Sequence, residues 1–225
     1  MKKGLYLVIM IFSASFIVIV TGLTLLNKNG KLEKIDEDKL NYRDKNFAQE
    51  FNKYSYNAEI VYYKESSTNS KANYSVVKYT YKDNIEKFDD YQNRTYEFDD
   101  FTNKKQYFRT GSKEDKDAYS IKNITYHSYH SMIVDVLSNS KYSDQNIYVL
   151  KTPSDVVKRF IESFNERTQS SITYKEGEKH KIYLSVKNDR IEEFVFLDGD
   201  KRISIIFSNI NKIEDITLPV IKEAS

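Results

Sequence analysis

Residues 181 to 216 read KIYLSVKNDRIEEFVFLDGDKRISIIFSNINKIEDI, three apolar runs separated by Lys187-Asn188-Asp189-Arg190 and by Asp198-Gly199-Asp200. Ile182, Leu184 and Val186 alternate with Tyr183, Ser185 and Lys187; Ile203, Ile205 and Phe207 alternate with Ser204, Ile206 and Ser208. A period of two sends successive side chains to opposite faces of a strand. Asp198-Gly199 is a hairpin signal, because Gly tolerates the positive φ of a tight turn. The stretch predicts an antiparallel meander with one face on a core and the other open to water or a ligand.

The same period recurs earlier. Tyr56 to Glu65 and Asn73 to Lys82 read as strands, the second with Val77, Tyr79 and Tyr81 on one face and Tyr74, Val76, Lys78 and Thr80 on the other. Further strands are expected over Asn84 to Phe88, Arg94 to Phe98 and Lys105 to Arg109. Nineteen Tyr and thirteen Phe against two Pro and six Gly favour strands. Three segments change to a helical period. Phe47, Phe51 and Tyr54 recur within Asp44 to Tyr54, and Tyr129, Met132, Ile133 and Val136 share a face. Val156, Phe160, Ile161 and Phe164 form a third stripe, with Thr152 as N-cap, Pro153 at the first helical position and Asp155 completing a capping box. The fold class is therefore α+β, a strongly curved antiparallel sheet with short helices on its concave side.

The N-terminus is of another kind. Lys2 and Lys3 precede Gly4 to Leu26, which carries no charge. About 20 apolar residues span a bilayer, and no polar face exists at a helical period. The exit, Leu25-Leu26-Asn27-Lys28, is a poor cleavage site, and the chain has no cysteine to receive a lipid. We read residues 1–26 as an uncleaved membrane anchor, 27–44 as a polar tether and 45–225 as the domain it carries. Lys2 and Lys3 favour a cytoplasmic N-terminus, against Lys28, Lys31 and Lys34 beyond the span. The expected location is the cell membrane, single-pass, with the C-terminal domain extracytoplasmic.

Little in the sequence points to catalysis. No nucleophile elbow, P-loop or glycine-rich dinucleotide loop occurs. Without cysteine, His127 and His130 have only His180 to complete a metal site; the alternative is that Tyr126, His127, Tyr129 and His130 are half-exposed helix residues. Asp89-Asp90, Asp99-Asp100 and Glu192-Glu193 are adjacent pairs whose members point to opposite faces of a strand, which makes them solvated edge and turn residues rather than dyads. Thirty-five basic and 33 acidic residues are intermixed, so no charged block suggests nucleic acid. The expectation is no enzyme, no metal and no cofactor. Tyr79, Tyr81, Phe194, Phe196 and Phe207 are the candidate ligand-binding residues of the concave face. They either pack beneath the helices or line an acyl-chain pocket; a third possibility is that the sheet meets an envelope protein.

The capped helix followed by the strand Lys181 to Val186, the charged turn, Ile191 to Leu197, Asp198-Gly199 and Ile203 to Asn209 resembles the periplasmic lipoprotein-carrier superfamily. Its members include the LolA/LolB carriers, LppX-type lipoproteins and the clostridial germination protein GerS. The likeness covers about residues 45 to 216. Departures are the missing lipobox cysteine and Glu192-Glu193 where a proline is common. The resemblance implies a half-barrel that holds an acyl lipid or lipoprotein, or, as in GerS-like members, serves a spore-cortex enzyme as partner. An anchored protein cannot shuttle between membranes, so a partner-binding role in cell-wall or sporulation work is the expected one, with lipid carriage the alternative.

The full-length protein should remain with membranes through a carbonate wash, and protease added to cells stripped of their outer layers should digest its body. Release by carbonate, or resistance to shaving, would overturn this topology.

Overall fold

The computed structural model describes residues 40–44, 47–64, 73–111, 119–143, 147–168, 170, 172–174, 180–198 and 201–220. The chain divides into two units, 1–40 and 41–225; the account below is of the second. The expected anchor, Gly4 to Leu26, lies outside the described residues, among which no helix is long and apolar enough to cross a membrane.

The described strands make one antiparallel twelve-stranded sheet. In chain order they are β1 (Tyr42–Arg43), β2 (Tyr56–Lys64), β3 (Asn73–Lys82), β4 (Ile85–Asp90), β5 (Thr95–Asp100) and β6 (Lys105–Thr110). Then come β7 (Ser120–Asn123), β8 (Lys141–Ser143), β9 (Ile147–Lys151), β10 (Lys181–Lys187), β11 (Arg190–Asp198) and β12 (Lys201–Ser208). The spatial order is β1-β8-β9-β10-β11-β12-β2-β3-β4-β5-β6-β7, so the sheet is open, ending in β1 and β7. The C-terminal meander pairs with β2, Ile205 opposite Ile60, which joins late strands to early ones. Tyr42 and Arg43, at the end of the stretch expected to be a tether, pair instead with Ser143 and Tyr142.

Turn chemistry sets the register. Asp83 and Asn84, and likewise Asn188 and Asp189, take positive φ and close two-residue hairpins, a conformation that Asn and Asp tolerate. The next two turns use one device twice. Asp90 accepts from the backbone N–H groups of Gln92 and Asn93 and from the Asn93 amide (2.7 Å); Asp100 accepts from the backbone and amide of Asn103 (2.7 Å). Arg94 and Lys104 then turn the chain through positive φ. These residues are a ten-residue recurrence, DDYQNRTYEF followed by DDFTNKKQYF.

Among the described residues three helices cover one face of the sheet: α1 (Phe47–Phe51), α2 (Tyr129–Asn139) and α3 (Ser154–Thr168). α2 begins where Ser128 accepts from the N–H of Ser131 at 2.8 Å. α3 begins one residue later than expected. The N–H of Val157 bonds the carbonyl of Pro153, and the hydroxyl of Thr152, expected as the cap, is engaged with Ser140 at 2.6 Å. Asp155 bonds Arg159 (2.8 Å), which also reaches Asp135 on α2 (3.0 Å), so the two helices are tied at the surface.

The core lies between the helices and the sheet. Phe51 meets Phe207 and Tyr56, Tyr129 meets Tyr79 and Phe88, and Phe160 meets Phe194 and Phe196. Each fully buried Phe or Leu side chain contributes about 1.5–3 kcal/mol, so the helices hold by apolar faces rather than by propensity. One expectation needs correction. On β9 to β12 the outer face is not simply wet, since Val149, Tyr183, Val195 and Ser204, side by side across four strands, are also buried. β1, β7, β8 and β9 were not anticipated. At two to five residues they are too short to carry an alternation that stands out from loop sequence.

Candidate functional site

The five aromatic residues expected on the ligand-binding face fall into two groups, each 7 % exposed or less. Tyr79, Tyr81 and Phe207 lie beneath α1 and α2. Tyr79 is 5.7 Å from Tyr56 and 5.0 Å from Phe88, and Phe207 is 5.0 Å from Tyr56. Phe194 and Phe196 lie beneath α3, 5.5 and 5.6 Å from Phe160. All five are engaged by the protein's own side chains.

The three histidines have separate settings. His130 is not the half-exposed residue the sequence suggests: it is 3 % exposed, stacked on Tyr81 at 3.9 Å and Phe51 at 5.1 Å, with Nδ1 3.3 Å from the Tyr56 hydroxyl. Burial, opposed by the Asn52 backbone, pushes it down to about 4, so it is neutral near pH 7. His127 precedes the Ser128 cap and is exposed, so the two do not share a helical face. His180 stacks between Tyr174 and Phe196, with Nδ1 3.7 Å from Asp198. Among the described residues no three His, Asp or Glu side chains gather as a metal site.

The most chemically loaded cluster is one the sequence reading did not find. Arg167, in the last turn of α3 and 3 % exposed at its side chain, reaches Glu86 on β4 (2.7 Å) and Glu97 (3.2 Å) and Asp99 on β5. Its guanidinium also stands 4.4 to 4.5 Å from the rings of Phe88, Tyr126 and Tyr129, a three-sided aromatic cage. Glu86 accepts further from Tyr79 (2.8 Å) and from the backbone N–H of His130 (3.2 Å), in the first turn of α2. One carboxylate thereby meets the positive end of α2 and, through Arg167, the negative end of α3. Tyr126 donates to Asp99 at 2.9 Å and lies 3.4 Å from Glu97, while the Gln106 amide donates to Tyr126.

One cation faces three carboxyl groups, and a buried site does not hold the excess negative charge. Burial pushes Asp99 up to about 8, against Arg167, with Glu97 pushing the same way. Burial also raises Glu86, against Arg167 and its hydrogen bonds. Burial works to lower Arg167, yet the surrounding acids win and hold it above its ordinary value. Asp99 therefore keeps a proton near neutrality. Glu97, 22 % exposed, is the group through which the cluster meets solvent.

This corrects the reading of the acidic pairs. Asp99 is buried in the cluster, and Asp90 and Asp100 are buried turn acceptors. Asp89 pairs with Lys87 (2.9 Å), Glu193 accepts from Arg202 (2.8 Å) and Ser204 (2.6 Å), and Glu192 is exposed. The ten-residue recurrence could have pointed to the acids. Arg167 gives no such signal, since a basic residue in a last helical turn reads as a partner for the helix dipole.

Arg167→Met should destabilise the protein by about 3–5 kcal/mol in urea unfolding, because three carboxyl groups lose their buried partner. Adding Glu86→Gln and Asp99→Asn should restore most of the loss; a single variant as stable as wild type would remove the cluster from the account.

The cluster also sets a pH dependence. Asp99 is ordinarily at 3.8 and at about 8 when folded, so its contribution is full below about 3.8 and lost as pH rises to about 8. His130, ordinarily at 6.5 and at about 4 when folded, acts oppositely: full above 6.5 and lost as pH falls to about 4. Between pH 6.5 and 8 only the Asp99 slope of this pair remains, and Glu86, also raised, carries the same sign. Stability should decline across that window in wild type and decline less in Asp99→Asn; equal declines would overturn the assignment.

No protein-family model matches the chain, and no curated protein matches it in sequence.

Proposed function

We propose that this chain is a non-enzymatic protein of the cell envelope, held to the membrane by residues 4–26, whose extracytoplasmic domain binds another envelope protein. In the reading the family resemblance suggests, that partner is a cell-wall or spore-cortex enzyme. In this reading the open twelve-stranded antiparallel sheet corresponds to the curved half-barrel of that resemblance, and the helix-covered face to its concave side. The observation that carries the proposal is the filling of that side. Tyr79, Tyr81, Phe194, Phe196 and Phe207, the residues an acyl chain would have to touch, are buried against α1, α2 and α3. Admitting a lipid means parting the helices from the sheet, at a cost on the scale of the apolar area they bury. Small-molecule pockets are usually largely pre-formed.

A second feature supports work close to the membrane. With Tyr42 and Arg43 taken into the sheet, the expected tether shortens to residues 27–41, which as a random coil would reach only about 19–23 Å, at about 5–6 Å times the square root of its length. The domain then meets anchored or wall-bound partners rather than partners in another membrane.

The test is crosslinking in intact cells, followed by purification of full-length protein in mild detergent and analysis of its crosslinked proteins and extracted lipid. A single envelope protein crosslinked in stoichiometric yield, without bound acyl lipid, is the expected result. Stoichiometric acyl lipid without a crosslinked protein would replace the proposal with the carrier reading.

A further inference from the structure

One rim of the sheet gathers three cations that form no ion pair among the described residues, although Asp189 stands in the turn beside them. Lys187 ends β10, Arg190 begins β11 after the Asn188–Asp189 turn, and Lys212 follows β12. Together with Asn188, Ser208 and Asn209 they line an open depression of about 510 Å³, whose lining contains one carboxylate, Glu192. Arg159, Arg167, Arg202 and Lys82 all have carboxylate partners. Lys187, Arg190 and Lys212 have none among the described residues.

The register makes this costly. Lys187 and Arg190 are direct cross-strand partners. Like charges placed opposite each other in an antiparallel pair destabilise the sheet. A two-residue hairpin with both turn residues at positive φ leaves the pair no freedom to slide apart. The third cation is fixed independently. Asn209 and Asn211 take positive φ, and Asn211 is bound to Ser55 twice, N–H to carbonyl at 2.7 Å and side-chain oxygen to backbone N–H at 3.1 Å. Lys212 is therefore carried on pinned backbone. A bulge completes the rim: Ser185 faces Glu193 and Val186 faces Ile191, so Glu192 is the extra residue, turned outward while Ile191 stays buried.

We propose that this depression is a binding site for a phosphoryl group, free or within a phosphodiester. Its lining carries a net charge of +2, from three cations and one carboxylate. Arg190 offers a planar fork of N–H donors, Lys187 and Lys212 are point charges, and Asn188, Ser208 and Asn209 add neutral donors. This set suits a compact anion with several acceptor oxygens. The volume lies within the range of small-ligand sites, about 300–1,000 Å³. Because the cations already stand together on fixed backbone, little ordering is needed on binding. The same chemistry is found in an anionic lipid headgroup and in a soluble or polymer phosphate.

The experiment uses full-length protein in neutral detergent. Inorganic phosphate is titrated at constant ionic strength with thermal unfolding as readout. Separately, a fluorescent phosphatidylglycerol is partitioned from phosphatidylcholine-doped micelles. The variant Lys187→Gln/Arg190→Gln/Lys212→Gln is compared with Lys53→Gln/Lys141→Gln/Lys158→Gln, which removes the same charge elsewhere. The groove variant should bind about tenfold more weakly, the control unchanged, as expected for losing three exposed ion pairs. Without ligand the groove variant should unfold no lower than wild type, since it loses only repulsion. Response to inorganic phosphate assigns a soluble source, and response to phosphatidylglycerol alone assigns the headgroup. Response to neither, or equal weakening in both variants, would overturn the site.

Discussion

A guanidinium taken out of water must be surrounded on every side, and Arg167 is. Its charge is met by Glu86, Glu97 and Asp99 and its faces by Phe88, Tyr126 and Tyr129. The desolvation of such a group costs several kcal/mol even after relaxation, and the cost is recovered only when the whole shell is in place. That shell is drawn from α3, β4, β5, the loop before α2 and α2 itself. No subset of these elements can satisfy it. The cluster therefore acts less as a source of stability than as a condition on the arrangement: α3 must end over β4 and β5, and α2 must begin there.

The remaining polar interior follows the same condition. Glu86 binds the first turn of α2 because it already stands on β4 facing Arg167. The position of α2 then carries His130 onto Tyr81 and Phe51, which closes the space between α1 and β3. The excess acid is settled by a proton on Asp99 rather than by a second cation, which ties the folded state to pH through a buried carboxyl group. The twin turns at Asp90 and Asp100 matter here too. Each caps its own backbone and so holds β4, β5 and β6 in the register that aligns Glu86, Glu97, Asp99 and Gln106 on one face.

Much of the fold was legible because it rests on local rules. The alternation of Ile182 to Val186 and of Ile203 to Phe207, the Val77, Tyr79 and Tyr81 face, and the stripe of α3 each repeat a period within ten residues. The site was not legible, for the opposite reason. Arg167 lies 68 to 81 residues from the acids it binds, and no spacing rule spans that distance. Treating Asp99 and Asp100 as neighbours on opposite faces was sound geometry. The error lay in assuming that a charged face must be the wet one, whereas a buried cation elsewhere in the chain can make the inner face the acidic one. His130 was misjudged in the same way, since its i, i+3 relation to His127 presumed a helix that begins only after Ser128.

With the core so fully committed, the proposed binding role falls to the surface, and the surface limits how it can be used. The sheet ends in β1, two residues long, and β7, four exposed residues carrying Lys122. Short, polar, lysine-bearing edges are poor templates for an added strand. Recognition through backbone pairing is thus disfavoured, and a partner of the kind proposed would have to read side chains held on a rigid frame. The rim at Lys187 and Arg190 fits that requirement better than either edge. A cross-strand pair of like charges, locked by a turn that cannot relax, weakens the free protein slightly and gains its reason only when an anion stands between the two. The interior resolves its surplus of one sign with an internal partner and a proton; among the described residues the rim has no ion-pair partner.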